Sequence, residues 1–425
     1  MRFIHTADIH LDSPLLSLNR YEGAPVEAFR SATRQAFENL VELAIEEDVH
    51  FVLIAGDLYD GECKDMNTPI AFRRCLRQLT DRGIRVFIVQ GNHDAQSKVS
   101  KAFRLDLPDM VTLFSTRKAE TVTFEVDGQQ VAIHGQGFAT AAVEENLAAE
   151  YPDALPHHLN IGLLHTNCGA SQGHGDYAPS TVPQLTTKNY DYWALGHIHQ
   201  RQNLAEGHPW IVYPGNIQGR HIRETGAKGC CLVTVDEGDV TEVAFRPVDV
   251  MRWEELVLDA TELANGDQVV SAVVQAISDR LASIGDLTLA VRVEVTGATR
   301  AHGDLVLHTG HFDGRIREAV VERLDEQVWI EKIRLRTTLV QDAGDTGLGG
   351  DALGEFLRDL DEAGALDGAF SDVRAELEAL QAAIPTDPRS PADLPDLDQE
   401  QTRLELLDAA RQLLVPRLLD QGEDR

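Results

Sequence analysis

Short apolar runs in the first 200 residues each break off into ionisable side chains: RFIHTAD (2–8), HFVLIAGD (50–57), IRVFIVQGNHD (84–94), NIGLLHTN (160–167) and YDYWALGHIH (190–199). Runs this short and this rich in β-branched and aromatic residues read as strands buried on both faces, because a half-exposed strand would alternate polar and apolar positions. Amphipathic stretches such as 26–47 lie between the first three runs, so strand and helix alternate. That order builds α/β layers, and open sheets of this kind bind ligands beyond the carboxyl ends of their strands. The polar residues at the run ends are therefore expected to converge.

The first run leads into Asp8 and His10, the second into Asp57, the third into Asn92 and His93, the fourth ends on His165, and the fifth leads into His197 and His199. In an extended segment positions i and i+2 share a face, which pairs Asp8 with His10 and His197 with His199. Carboxylate and amide oxygens mixed with imidazole nitrogens suit Mn²⁺, Fe or Zn²⁺ better than Mg²⁺ or Ca²⁺. Asp8, His10, Asp57, Asn92, His165, His197 and His199 are too many donors for one ion and suit two. Two cations ~3.5–4 Å apart form a clamp for in-line displacement at phosphorus.

The ordered blocks DIH, GD, GNHD, H and GHIH resemble the signature of calcineurin-like metallophosphoesterases. The fuller strings HTADIHLDSP, GDLYD, HTN, YAPS, YDYWALGHIH and YPGNIQGRHIRETGAKG are similar to the SbcD-type DNA repair exonucleases, most closely to their YhaO-like branch, and the similarity is strong over 1–250. It implies a four-layer α/β (α+β) fold, a β-sandwich flanked by helices, with a smaller α+β capping domain and a C-terminal helical segment. It further implies one divalent cation on Asp8, His10, Asp57 and His199 and a second on Asp57, Asn92, His165 and His197, Mn²⁺ foremost, with Asp57 shared. His93 would then protonate the departing oxygen, and Asp60 would orient that histidine. The implied activity is 3′→5′ exonucleolytic cleavage of DNA, with endonuclease activity beside it, in a repair complex with an SMC-like coiled-coil ATPase and in a homodimer. Arg220 and His221, after YPGN, and His174, in a Gly-rich loop, are the candidate substrate contacts. Two other readings use the same residues: a small-molecule or cyclic-nucleotide phosphodiesterase with a closed pocket, and a non-catalytic adaptor.

The formal net charge of −31 repels a polyanion, so local positive potential must come from the cations and from Arg220, His221 and Arg223. Arg73, Arg74, Arg77, Arg82 and Arg85 read as an ordinary solvated helix face. Cysteines without a CxxC pair, no apolar stretch of ~20 residues, and an N-terminus that enters a strand at once are the pattern of a reduced, cytoplasmic chain. A length of 425 residues suits two or three domains. Beyond the first, 1–250, the text reads as an α+β capping domain over 251–340. Its expected strands are TLAVRVEVTG (288–297), DLVLHTG (304–310) and VWIEKIRLRTT (328–338), and its helices 266–283 and 314–325. An acidic helical segment (350–383) and a Pro/Asp-rich linker (384–400) follow. In the last helix, within 401–425, Leu404, Leu407, Leu414 and Leu418 fall near one face. That stripe either docks on a partner's coiled coil or folds back on its own domain.

Overall fold

The computed structural model describes residues 1–13, 26–60, 67–97, 107–169, 177–324, 327–340, 375–376, 379 and 399–423. The elements up to residue 250 are β1 (Arg2–Thr6), α1 (Val26–Glu46), β2 (Phe51–Ala55), α2 (Asn67–Thr80), β3 (Arg85–Val89), α3 (Asn92–Gln96), β4 (Val111–Leu113), β5 (Glu120–Val126), β6 (Gln129–Gln136), β7 (Leu159–His165), α4 (Val182–Thr186), β8 (Tyr192–Gly196), β9 (Gln202–Ala205), β10 (Trp210–Tyr213), β11 (Gly229–Asp236) and β12 (Asp239–Pro247). They form two six-stranded sheets, ordered β12-β11-β1-β2-β3-β4 and β5-β6-β7-β8-β10-β9. Within each, the strands predicted from the apolar runs are parallel neighbours: β1 with β2 and β2 with β3, and β7 with β8.

Burial on both faces explains why those runs are continuously apolar. One face of each sheet meets the other sheet: Phe3, Phe51 and Phe87 pack with Phe124, Ile161 and Tyr192. Phe3 and Phe51 stack at 4.7 Å and Phe87 and Phe124 at 5.2 Å between ring centroids. The outer face of the first sheet is covered by Phe37 and Leu40 of α1 and by Phe72 and Leu76 of α2, and that of the second by Phe138, Tyr151, Leu185 and Tyr190. The result is the expected four-layer sandwich. Arg74 of α2 pairs with Glu38 at 2.8 Å and Arg85 lies over the Phe124 ring.

Beyond residue 250 the elements are β13 (Met251–Asp259), α5 (Gly266–Ile284), β14 (Thr288–Ala298), α6 (His302–Leu307), α7 (Thr309–Leu324), β15 (Val328–Thr338) and α8 (Glu400–Glu423). The sheet is ordered β13-β14-β15. DLVLHTG is thus not a strand but the helix α6 and the start of α7. Periodicity cannot separate strand from helix in so short an apolar run, and here Leu305 and the buried His302 face inward from one turn of helix. The third strand is instead β13, which the sequence reading missed.

The chain divides into two compact units, the described residues of Met1–Glu255, Arg280–Arg292 and Asp325–Glu331, and those of Leu256–Asp279, Val293–Leu324 and Lys332–Arg425. The division differs from a simple cut at 250 because tertiary contacts tie later segments to the first unit. Arg292 clasps Glu331 with two 2.7 Å hydrogen bonds, and Phe29, Trp253 and Trp329 form one ring cluster. In the second unit α8 is held by Gln412, whose carbonyl lies 2.8 Å from His302 Nε2 and whose Oε1 accepts from Leu339 N at 2.8 Å, while Val415 is buried. The helix therefore folds back through a face other than its leucine stripe, and Leu404, Leu414 and Leu418 stay exposed. The acidic segment 350–383 and the linker 384–400 lie outside the described residues except at 375–376, 379 and 399–400. Among the described residues no helix is long and apolar enough to cross a membrane.

Candidate metal centre

The carboxyl ends of β1, β2, β3, β7 and β8 meet at one end of the sandwich. The two sheets close to backbone contact there. A Cβ on Gly196, at the end of β8, would lie 1.9 Å from Ala55 O at the end of β2. His165 Nδ1 spans the same seam to Ala55 O at 2.9 Å, and His197 N donates to both carboxylate oxygens of Asp8 at 3.1 Å. Gly91 allows a second close approach, since a Cβ there would lie 2.2 Å from Asp57 Oδ1.

The donors do not converge through the two-residue repeat of a strand. Asp8, His10 and Asp57 have φ of 52°, 46° and 54°, and His197 has φ of 108°. Non-glycine residues rarely occupy that region, so the chain turns sharply after each strand rather than staying pleated. Asp8 N donates to Gly56 O and His10 N to Asp57 O, both at 3.0 Å, which locks the two turns side by side. Backbone forced into this region at several adjacent ligand-type residues is the kind of strain that collects at functional sites.

Among the described residues, three groups of side chains bring their donor atoms within 4.8 Å of one another: Asp8, His10 and His199; Asp8, Asp57 and His165; and His10, Asp60 and His93. His10 Nε2 and His199 Nε2 are 3.2 Å apart and face each other, because each ring's Nδ1 is already engaged by a carboxylate: Asp60 Oδ1 at 2.6 Å for His10 and Glu224 Oε1 at 2.7 Å for His199. Asp57 Oδ2 lies 3.9 Å from His10 Nε2 and 3.6 Å from His165 Nε2, between the first two groups. Asn92 Oδ1 is 3.0 Å from His165 Nε2, and the His197 ring meets His165 edge-on at 5.2 Å.

His93, at the rim, is 42% exposed while its neighbour His10 is fully buried. Asp60 lies 3.5 Å from His93 Nδ1 but bonds His10 more closely, so it braces a donor histidine at least as much as the rim one. Arg220 is 15% exposed and lies between Asp60, at 3.5 Å, and Glu224, at 3.6 Å. His221 is 44% exposed and 3.5 Å from Glu224. Asp94 accepts from the amides of Leu58, Tyr59 and Gly91 and so holds the loops around Asp57. His174 lies outside the described residues. Glu224 is the residue that sequence reasoning missed; it stands inside GRHIRETGAKG, but nothing in that string ties it to a histidine 25 positions earlier.

The electrostatics favour added positive charge. Burial, and then the neighbouring Asp57, push the Asp8 carboxyl up to about 8. Burial would raise Asp57 too, but His165, His10 and His93 outweigh it and bring it down to about 2. Burial lowers His165 and brings His199 down to about 3, which favours neutral imidazoles able to donate a lone pair, and burial lowers His93 as well. Burial and Asp57 also push Asp94 up to about 7. A carboxyl raised in the folded state binds a proton there that the unfolded chain has lost. Below about pH 6.5 the buried histidines with lowered pKa work the other way, so the loss shows above it: stability of the metal-free protein is expected to fall as pH rises from about 6.5 to about 8, by on the order of 2 kcal/mol. Melting midpoints in a chelator at pH 6.5 and pH 8.5 check this; a midpoint that rises with pH over that range contradicts it.

Residues 1–201 match the family model for calcineurin-like phosphoesterases, and residues 253–338 match that for the middle domain of the metallophosphoesterase YhaO. The chain is 35% identical over 285 residues to the uncharacterized metallophosphoesterase YhaO of Bacillus subtilis, spanning 67% of this chain and 68% of that one. It is 26% identical over 292 residues to the DNA double-strand break repair protein Mre11 of Methanopyrus kandleri, spanning 60% of this chain and 61% of that protein. Among solved structures, TT1561 of Thermus thermophilus matches at 16% identity with a TM-score of 0.34, over 58% of this chain and 98% of that one.

Proposed function

The chain belongs to the calcineurin-like metallophosphoesterases, and from that premise we propose that it is a phosphodiesterase cutting DNA from its ends, the nuclease subunit of a repair complex. Membership implies a metal-dependent phosphoester hydrolase with a dinuclear divalent centre. The donor set fits such a centre: carboxylate, amide and imidazole groups converge, and the buried Asp8, beside Asp57, has its carboxyl raised by burial and by that neighbouring charge. Asp8, His10, Asp57 and His199 would hold one ion and Asp57, Asn92, His165 and His197 the other. When bound, the two ions neutralise the phosphate and lower the pKa of the attacking water.

The chain's own residues supply the rest. His93 stands at the open rim with Nδ1 toward Asp60, so that its ring, once protonated, would hand the proton on Nε2 to the departing oxygen. The partly exposed Arg220 offers positive charge at the same rim, and His221, whose pKa burial lowers, offers ring nitrogens for hydrogen bonding. The observation that carries the reading is the meeting of strand-end donors from both sheets beside an exposed histidine. DNA as substrate is supported by the Mre11 relative. The ATPase partner is proposed on the sequence resemblance, with the exposed leucines of α8 as its contact, and the homodimer on the resemblance alone. A second reading, a small soluble phosphodiester as substrate, is favoured by the net charge of −31.

Incubation with Mn²⁺ and labelled duplex DNA, beside bis-p-nitrophenyl phosphate, separates the two. DNA cleavage is expected, and His93→Ala is expected to slow it by about 10²-fold or more, the usual worth of a positioned proton donor. Turnover of the small ester alone, with the ATPase partner also present, would favour the second reading.

A further inference from the structure

We propose that Glu224 is a positioning residue that sets the affinity of one of the two cation sites, the one holding Asp8, His10 and His199, by fixing the His199 ring. The two histidine groups are backed differently. His10 and His199 each give Nδ1–H to a carboxylate, Asp60 and Glu224, whereas His165 gives its Nδ1–H to the neutral carbonyl of Ala55 at 2.9 Å. A carboxylate behind an imidazole fixes its tautomer, aims Nε2 and raises its basicity toward a metal.

Both oxygens of Glu224 are used. Oε1 accepts from His199 Nδ1, while Oε2 accepts from Asn216 Nδ2 at 3.0 Å and from the backbone N of Arg220 at 2.8 Å. The residue is 6% exposed, so water does not replace a lost partner. Arg220 lies between Asp60 and Glu224 and ties the two backing carboxylates together. Glutamine at this position is isosteric but has one acceptor end. Whichever way its amide points, an NH₂ group faces either His199 Nδ1–H or the paired donors of Asn216 and Arg220.

The inference rests on the dinuclear centre and not on DNA as substrate. Mn²⁺ titration of the full chain, followed by calorimetry and by metal content after desalting, tests it. The unsubstituted protein is expected to take up two equivalents. Glu224→Gln should weaken one equivalent by about 10–100-fold and leave the other unchanged. Glu224→Asp keeps both acceptors on a shorter arm and should weaken the same equivalent less, which gives the reading even if the glutamine variant does not fold. In a His199→Ala background Glu224→Gln should change nothing further, because its effect passes through that ring. Two unchanged equivalents in both Glu224 variants, or equal loss of both with the fold intact, would overturn the proposal. Failure of the unsubstituted protein to bind two would instead overturn the dinuclear centre itself.

Discussion

Asp57→Asn is expected to abolish Mn²⁺-dependent hydrolysis of bis-p-nitrophenyl phosphate, by about three orders of magnitude or more, while leaving the fold intact. Asp57 Oδ2 lies 3.9 Å from His10 Nε2 and 3.6 Å from His165 Nε2, so its charge serves both halves of the centre. Removing it takes away a shared anionic ligand, and about 4 kcal/mol of transition-state stabilisation corresponds to that loss. Asparagine is the informative replacement. Asp57 has φ of 54°, which asparagine tolerates better than alanine does, and its amide oxygen can still accept from His93 N, at 3.0 Å in this structure. A second signature accompanies the first. Without Asp57's charge the carboxyl of Asp8 loses one cause of its raised pKa, so the metal-free variant should resist alkaline destabilisation better than the parent. An active Asp57→Asn enzyme, or one that melts like an unfolded chain, contradicts this account.

Gly196→Ala is expected to produce the largest loss of stability from a single added methyl group. The new Cβ would sit 1.9 Å from Ala55 O and 3.0 Å from His165 Nδ1, both held in the seam between the sheets. Backbone cannot rotate away as a long side chain can, so the sheets must part. Overpacking of this kind costs about 3 kcal/mol or more. Gly314→Ala is the control: it lies in α7, nothing stands within 4 Å of its added Cβ, and it should be neutral or stabilising by up to about 1 kcal/mol. Chemical denaturation of both variants measures the difference, and equal midpoints would refute the close-packed seam.

The core strands and the donor residues were legible because each signal is local. A buried parallel strand is an unbroken apolar run, and the residue that follows its end is named by the same string. Strands at the periphery were not. In β5, ETVTFEV, only Phe124 is buried, and β12 alternates weakly between exposed and half-buried positions, so neither stands out from loop text. Tertiary pairing makes them strands. The reading of 304–310 failed for the opposite reason: its apolar residues were real signals of burial, but burial alone does not fix the period. At the centre, what could not be read was orientation. The spacing of Asp8 and His10 correctly paired them, yet through left-handed turns rather than a shared pleat. Asp60 was expected behind His93 and is found closer to His10. Glu224 meets His199 only because β10 and β11 bring the chain back, and no spacing rule anticipates such a return.

The centre draws its donors from two sheets that share no strand, joined across an aromatic layer of Phe3, Phe51, Phe87 and Phe124. Its geometry is therefore hostage to a region containing none of the reacting groups. A void carved among those rings would let one sheet slide on the other, and the first symptom would be sluggish chemistry in a protein whose every ligand is still in place.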